Sequence, residues 1–351
     1  MLTTNFMKTV AIAIGFAAIF SGCNKDDTTT TTPVGYTQVN LVSDTAGYGA
    51  TRVDIMLKNP WGIAIGATGA LWISANHTGS TTIYDRNGAQ LLAAVTIPGG
   101  APTGVVYNST ASSFVIPSNS QKSKFIYAGE DGTVVAWSSG TAAITVADRS
   151  ASNAVYKGIA MGTDGGADFL YLANFKGKKI DVFDSNFNYI TTKPFVDPSI
   201  PADYSPFNVY NIGGMLYVTY AKPLAPDFQD DEKGAGHGYI DVFTTAGVFV
   251  KRFASQGTLN SPWAVVDAPD GFGQGTGAIL VGNFGDGRIN VFNADGSYKT
   301  QLTHSGTPIT IDGLWALTFP ENGIPAGDQN QLFFTAGPAE EEHGLFGYIK
   351  P

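Results

Sequence analysis

From residue 36 onward the apolar positions alternate with small or polar ones over short runs, and the runs recur at an interval of roughly fifty residues. Alternation of period two marks strands with one packed face. Repetition at that interval marks a radial array in which each repeat is one sheet. Six copies align. Each opens on a turn and a strand of small and β-branched residues, at 59–64, 101–106, 155–160, 205–209, 261–265 and 313–317. A second strand follows at 70–75, 124–128, 169–173, 215–220, 278–281 and 331–335. A third lies at 82–84, 133–137, 180–183, 240–243, 289–292 and 345–349, with Ile-Asp-Val-Phe written twice. Asp85-Arg86-Asn87-Gly88 and Asn293-Ala294-Asp295-Gly296 then supply hairpin chemistry.

A fourth strand has room in the first five copies, as at 91–97 and 249–253, whereas the sixth runs out at Pro351. The segment Tyr36 to Val42 is a good strand ahead of the first repeat. Pairing it beside residues 345–349 would close the ring and remove an open sheet edge. The expected fold is therefore all-β: a six-bladed β-propeller with four-stranded blades, over 36–351, closed by an N-terminal strand that completes the last blade.

Gly282 to Phe292 and Ala173 to Phe183 share the pattern Asn-Phe, basic or glycine residues, then Ile-Asn/Asp-Val-Phe, and this resembles NHL-repeat propellers. The order Asn40-Leu41-Val42-Ser43-Asp44, Asn59-Pro60-Trp61-Gly62, Glu130-Asp131-Gly132-Thr133, Val155-Tyr156-Lys157-Gly158, Ile311-Asp312-Gly313-Leu314-Trp315 and His343-Gly344-Leu345-Phe346-Gly347 resembles an uncharacterised family of exported bacterial six-bladed propellers. That resemblance implies the fold and carries no activity.

Ahead of the repeats, Lys8, an apolar run from Val10 to Phe20 and small residues before Cys23 read as a processing signal over 1–22. Phe20-Ser21-Gly22-Cys23 resembles the lipobox of bacterial lipoproteins, with Phe20 where leucine is usual, and Cys23 is the one cysteine of the chain. The expectation is lipidation at Cys23, a flexible tether over 23–35, and an anchor in the outer membrane or at the cell surface, otherwise a periplasmic location. Lys25-Asp26-Asp27 also resembles the surface-export signal of Bacteroidetes-type lipoproteins. Without the leader's one lysine the chain has 19 basic and 29 acidic residues, a net charge of −10. No basic stripe is visible, which excludes nucleic acid as a partner. A monomer that binds a protein, a glycan or a small molecule is expected.

In a four-stranded blade the second-to-third loops and the connections into the next inner strand share a face, and binding residues collect on such loops. On that face fall His77, Glu130, Asp131, Lys157, Asn174, Asn208, His237, Asn283, Asp286, Asp312 and His343, together with His304. Glu130, Asn174, Asn283 and Asp312 form a candidate set of ligands for a divalent cation, calcium or zinc. No nucleophile elbow, phosphate loop, cysteine metal cluster or dinucleotide fingerprint is present. Pro226 to Glu232 is acidic and reads as a solvated insertion, and Asp184 to Asn188 as a hairpin turn. Trp61, Trp263 and Trp315 share one place in the repeat and read as packing residues. Two functions remain open: a binding or scaffold propeller, and a metal-dependent hydrolase of lactonase type with its site in the central funnel.

Overall fold

A computed structural model describes residues 1–2, 35–321 and 323–351, of which those from 35 on belong to one compact unit, Val34–Pro351. Cys23, most of the expected leader and nearly all of the tether lie outside the described residues.

The chain is a six-bladed β-propeller of four-stranded antiparallel blades. In the first blade Pro60–Ile65, Leu71–Ala75, Ser80–Tyr84 and Gln90–Thr96 run in order from axis to rim. The next four blades begin with Pro102–Tyr107, Tyr156–Asp164, Ser205–Ile212 and Pro262–Asp267. The sixth consists of Leu314–Thr318, Leu332–Ala336, Leu345–Lys350 and, from the other end of the chain, Thr37–Ser43. The innermost strands touch one another in a closed ring, the sixth against the first.

These strands form where two-residue alternation puts branched and aromatic side chains on a packed face. Leu71–Ala75 and Thr133–Trp137 are buried throughout, because neighbouring blades cover both sides of a middle strand. Close approach at the axis needs small residues: a Cβ at Gly62 would lie 2.7 Å from the Thr103 carbonyl oxygen of the next blade. Side-chain hydrogen bonds tie adjacent inner elements, with Thr103 Oγ1 on the Tyr156 carbonyl at 2.9 Å and Asn208 Nδ2 on the Trp263 carbonyl at 3.1 Å.

The closure carries more than one added strand. Tyr36 is buried, packs on Phe272 at 4.8 Å, donates from its hydroxyl to the Phe272 carbonyl at 2.7 Å and accepts from Gln274 at 2.6 Å. The clasp therefore spans the fifth and sixth blades. Arg52–Val53 adds a fifth, parallel strand outside it, which the sequence pattern does not reveal because both residues are exposed. In the third blade the outer strand shrinks to Tyr189–Ile190, ahead of Pro194, Pro198 and Pro201, which offer no ladder donors.

Candidate functional site

The channel is closed at one level by aromatic rings. Trp61 and Trp315 stack at 3.6 Å, Trp315 and Phe284 at 3.9 Å, and Trp263 meets both tryptophans edge-on. Phe175 and Phe207 complete this buried plug. The tryptophans hold the fold together, as their repeated position implies.

On the plug stands a charged cluster. Lys157 follows the turn into the third inner strand and points to the axis, where its side chain is 1% exposed. Its ammonium lies 4.8 Å from the Trp61 ring centroid, 2.5 Å from Glu130 Oε1 and 3.4 Å from Asp230 Oδ1. The other Glu130 oxygen accepts from Asn76 Nδ2 at 2.9 Å. Asn59 joins the cluster to the plug: its Oδ1 accepts from Trp315 Nε1 at 3.1 Å, and its Nδ2 donates to Glu341 Oε2 at 2.7 Å. His77 Nε2 lies 3.2 Å from the same amide nitrogen.

Glu341 sits in an unusual backbone. Ala339, Glu340 and Glu341 have φ of 58°, 53° and 68°, three successive non-glycine residues in the left-handed region. Each such residue costs on the order of 1 kcal/mol, and strain of this kind collects at functional sites. The turn is held at its start by Asp312 Oδ2, which accepts from the Ala339 N–H at 2.8 Å.

The cluster sets its own protonation. Burial pushes the Glu341 carboxyl up to about 7, and Glu130 and Asp230 add to the rise against the Asn59 amide and Lys157. Burial also raises Asp231, against the pull of Lys157 and Lys233. For Glu130 burial acts upward as well, but the charge and hydrogen bond of Lys157 outweigh it and hold this carboxyl below its ordinary value. For Lys157 burial acts downward and is outweighed by Glu130 and Asp230, so the ammonium stays charged.

Because the folded state raises Glu341, it holds that proton more tightly than the unfolded chain does. The associated stability is full below the ordinary value of 4.5 and is lost as pH rises through about 7. Glu341→Gln removes this term. Between those limits the stability of Glu341→Gln should rise relative to the native chain by on the order of 3 kcal/mol, at roughly 1.4 kcal/mol per pKa unit. Urea unfolding of both proteins across this range checks it, and parallel pH profiles would remove Glu341 from the cluster's titration.

Of the residues expected on this face, Glu130, Lys157 and His77 meet. The others are engaged locally. Asn174 accepts from Val155 and Gly177 and donates to Asp181, Asn208 ties two blades, and Asn283 donates to the Thr258 carbonyl and to Asp286. Asp131 accepts from the Thr133 N–H and hydroxyl, and Asp312 supports the strained turn. The histidines do not converge: His237 Nδ1 lies 3.0 Å from the Glu232 carbonyl, His304 Nδ1 2.8 Å from the Tyr36 carbonyl and His343 Nδ1 3.1 Å from Asp44 Oδ2. Among the described residues no group of three or more His, Cys, Asp or Glu side chains is placed to hold a metal ion. Glu130 keeps its carboxylate on Lys157 and Asn76, so the candidate cation set of Glu130, Asn174, Asn283 and Asp312 is spread over separate local contacts.

Sequence reading did not single out Asn59, Asn76 or Glu341, and it read the acidic insertion as solvated, which holds for Asp227 and Asp230 but not for Asp231. Asp230 reaches Lys157, Asp231 is buried, and Glu232 pairs with Lys222 at 3.0 Å. The one available signal was a lysine at the start of an otherwise apolar inner strand, which demands a counter-charge.

No protein-family profile matches the chain. Two uncharacterised proteins of Acanthamoeba polyphaga mimivirus are similar to it. One is 40% identical over 318 residues, covering 86% of this chain and 76% of that protein; the other is 36% identical over 330 residues, covering 89% and 85%. Among solved structures, a Bacteroides thetaiotaomicron protein of unknown function superposes with a TM-score of 0.57 at 13% identity, over 90% of this chain and 76% of that one. Virginiamycin B lyase from Staphylococcus aureus superposes with a TM-score of 0.52 at 12% identity, over 90% and 99%. Such identities speak for the propeller fold alone. The mimiviral relatives overturn the expected assignment to an exported bacterial family. The chain belongs to the family of six-bladed propeller proteins that includes these two mimiviral proteins.

Proposed function

We propose that this protein is a binding propeller whose charged channel mouth holds the cationic end of a small molecule, a primary amine or a guanidine. One observation carries the reading: Glu130 and Asp230 pair with a single buried ammonium, that of Lys157, while Glu341 lies within its field and within that of both carboxylates without an ion pair of its own. Glu341, raised by burial, is the group with charge still to give. A ligand cation beside it would draw off its proton and gain an ion pair at a partly desolvated position, where such a bond is worth more than in water. The net charge of −9 favours the approach of cations.

Titration calorimetry with spermidine and with arginine ethyl ester at low ionic strength tests the reading, with propanol and propionate as neutral and anionic controls. Saturable binding of a cation is expected, tightening as pH rises from about 6 to 8 while Glu341 ionises, and weakened about tenfold or more in Asp230→Asn/Glu341→Gln. Binding of propionate alone, or cation binding indifferent to the double substitution, would refute it.

A second reading, opening of a ring ester, is favoured by one feature: a carboxyl poised near 7 can act as general acid or base at neutral pH. Turnover of a lactone panel, abolished by Glu341→Gln and indifferent to added calcium or zinc, would favour it over simple binding.

A further inference from the structure

On the far side of the aromatic plug, toward the first-to-second strand turns, the channel opens into a cavity of about 940 Å³. Its walls come from all six inner strands and include Ile63, Val105, Ile159, Met161, Val209 and Leu317. Its inner end is the plug itself, through Trp263 and Ala316. Ile63, Ile65, Met161 and Ile212 are only half-buried, so apolar surface faces the lumen with no protein packed on it. Concave space of this size, lined by aliphatic side chains interrupted by polar ones, is the usual form of a small-molecule site.

Polar side chains share the wall with the aliphatic ones, among them Ser109, Asn208, Asn211 and Thr318. Asn208 donates to the Trp263 carbonyl and accepts from the Val209 N–H, and Asn211 donates to the Met161 carbonyl and accepts from the Gly214 N–H, so both amides are spent on the fold. Tyr210 stands edge-on to Trp263, with ring centroids 6.2 Å apart, on the wall near the plug. Burial pushes its phenol well above the ordinary range, against a side-chain hydrogen bond from the Asn208 amide to the phenol oxygen, so it stays neutral and keeps its own O–H to donate. At the rim Asp267 and Glu321 are exposed carboxylates, which oppose the entry of an anion.

We infer that this cavity is a second ligand site, separate from the charged mouth, and that it takes an uncharged apolar molecule whose carbonyl oxygen accepts from Tyr210. Apolar burial supplies the affinity and the phenol sets the orientation. The aromatic plug keeps the two sites apart, so this inference does not depend on amine binding at the mouth.

The test is a fluorescence titration of the full chain with 6-propionyl-2-dimethylaminonaphthalene, a neutral ketone whose emission reports polarity, and with 2-dimethylaminonaphthalene, which lacks the carbonyl. One saturable site with blue-shifted emission is expected for the ketone. Tyr210→Phe should weaken the ketone about fivefold, the usual net worth of one hydrogen bond, and leave the analogue unchanged. Met161→Trp, which fills the lumen, should abolish binding of both, and Ile212→Trp serves the same end if that variant does not fold. Glu341→Gln should leave ketone binding intact, which separates this result from that at the mouth. Absence of saturable binding, or undiminished binding in a natively folded Met161→Trp or Ile212→Trp variant, would overturn the inference.

Discussion

A chain lacking residues 36–43 should melt more than about 10 °C below the intact protein, or lose cooperative melting altogether. The deletion removes the outer strand of the sixth blade, whose register with Leu345–Lys350 runs from Thr37 opposite Lys350 to Ser43 opposite Leu345. It also empties the buried positions of Tyr36, Leu41 and Val42, each worth roughly 2 kcal/mol of apolar burial. The hydrogen bonds from the Tyr36 N–H to the Thr303 carbonyl and from His304 Nδ1 to the Tyr36 carbonyl go with them. One kcal/mol corresponds to about 2 °C in a chain of this size. No disulfide can compensate, because the chain has one cysteine. Differential scanning calorimetry of the truncated and intact chains decides the matter, and coincident transitions would show that the ring closes without its clasp.

Lys157→Met should be the most damaging single substitution at the channel mouth, at roughly 3–5 kcal/mol, since it strands buried charge without a partner. Glu130 would keep its hydrogen bond from Asn76 but lose its counter-ion, and Glu341 and Asp230 would repel it unopposed. The double substitution Lys157→Met/Glu130→Gln removes both members of the pair and should recover much of that loss, because a buried ion pair costs nearly as much to desolvate as it returns. Denaturant unfolding of the single and double variants at pH 7 measures the coupling. A single variant as stable as the native chain, or a double variant no better than the single, would mean that Lys157 is neutralised by something other than Glu130.

These two results bear on different layers of the molecule. The clasp belongs to the repeat pattern, and its outline is legible in residues 36–42 because an apolar strand ahead of the first repeat and a repeat short of one strand at the other end complement each other. The ends of the strands were less legible: Tyr156–Asp164 and Ser205–Ile212 run several residues beyond their apolar cores, because the pairing of neighbours such as Ile212 with Met215 continues the ladder through polar positions.

The charged mouth was only half legible. Lys157 and Glu130 stood out as polar residues on loops of the right face. Glu341 did not, since its importance comes from a left-handed turn and from burial, neither of which leaves a mark on Ala339-Glu340-Glu341. The histidines show the same limit: sharing a face does not mean sharing a point, and His304 and His343 bond to Tyr36 and Asp44 at the clasp.

What the sequence by itself determined is the repeating unit and its number, because period-two alternation and turn chemistry are local and are written afresh in every blade. Only the tertiary structure decided which polar side chains meet. Asn59 and Glu341 are 282 positions apart and Lys157 and Asp230 are 73 apart, and they come together because the ring returns each blade to a common axis. A contact made by closure has no spacing rule, so no local pattern could announce it.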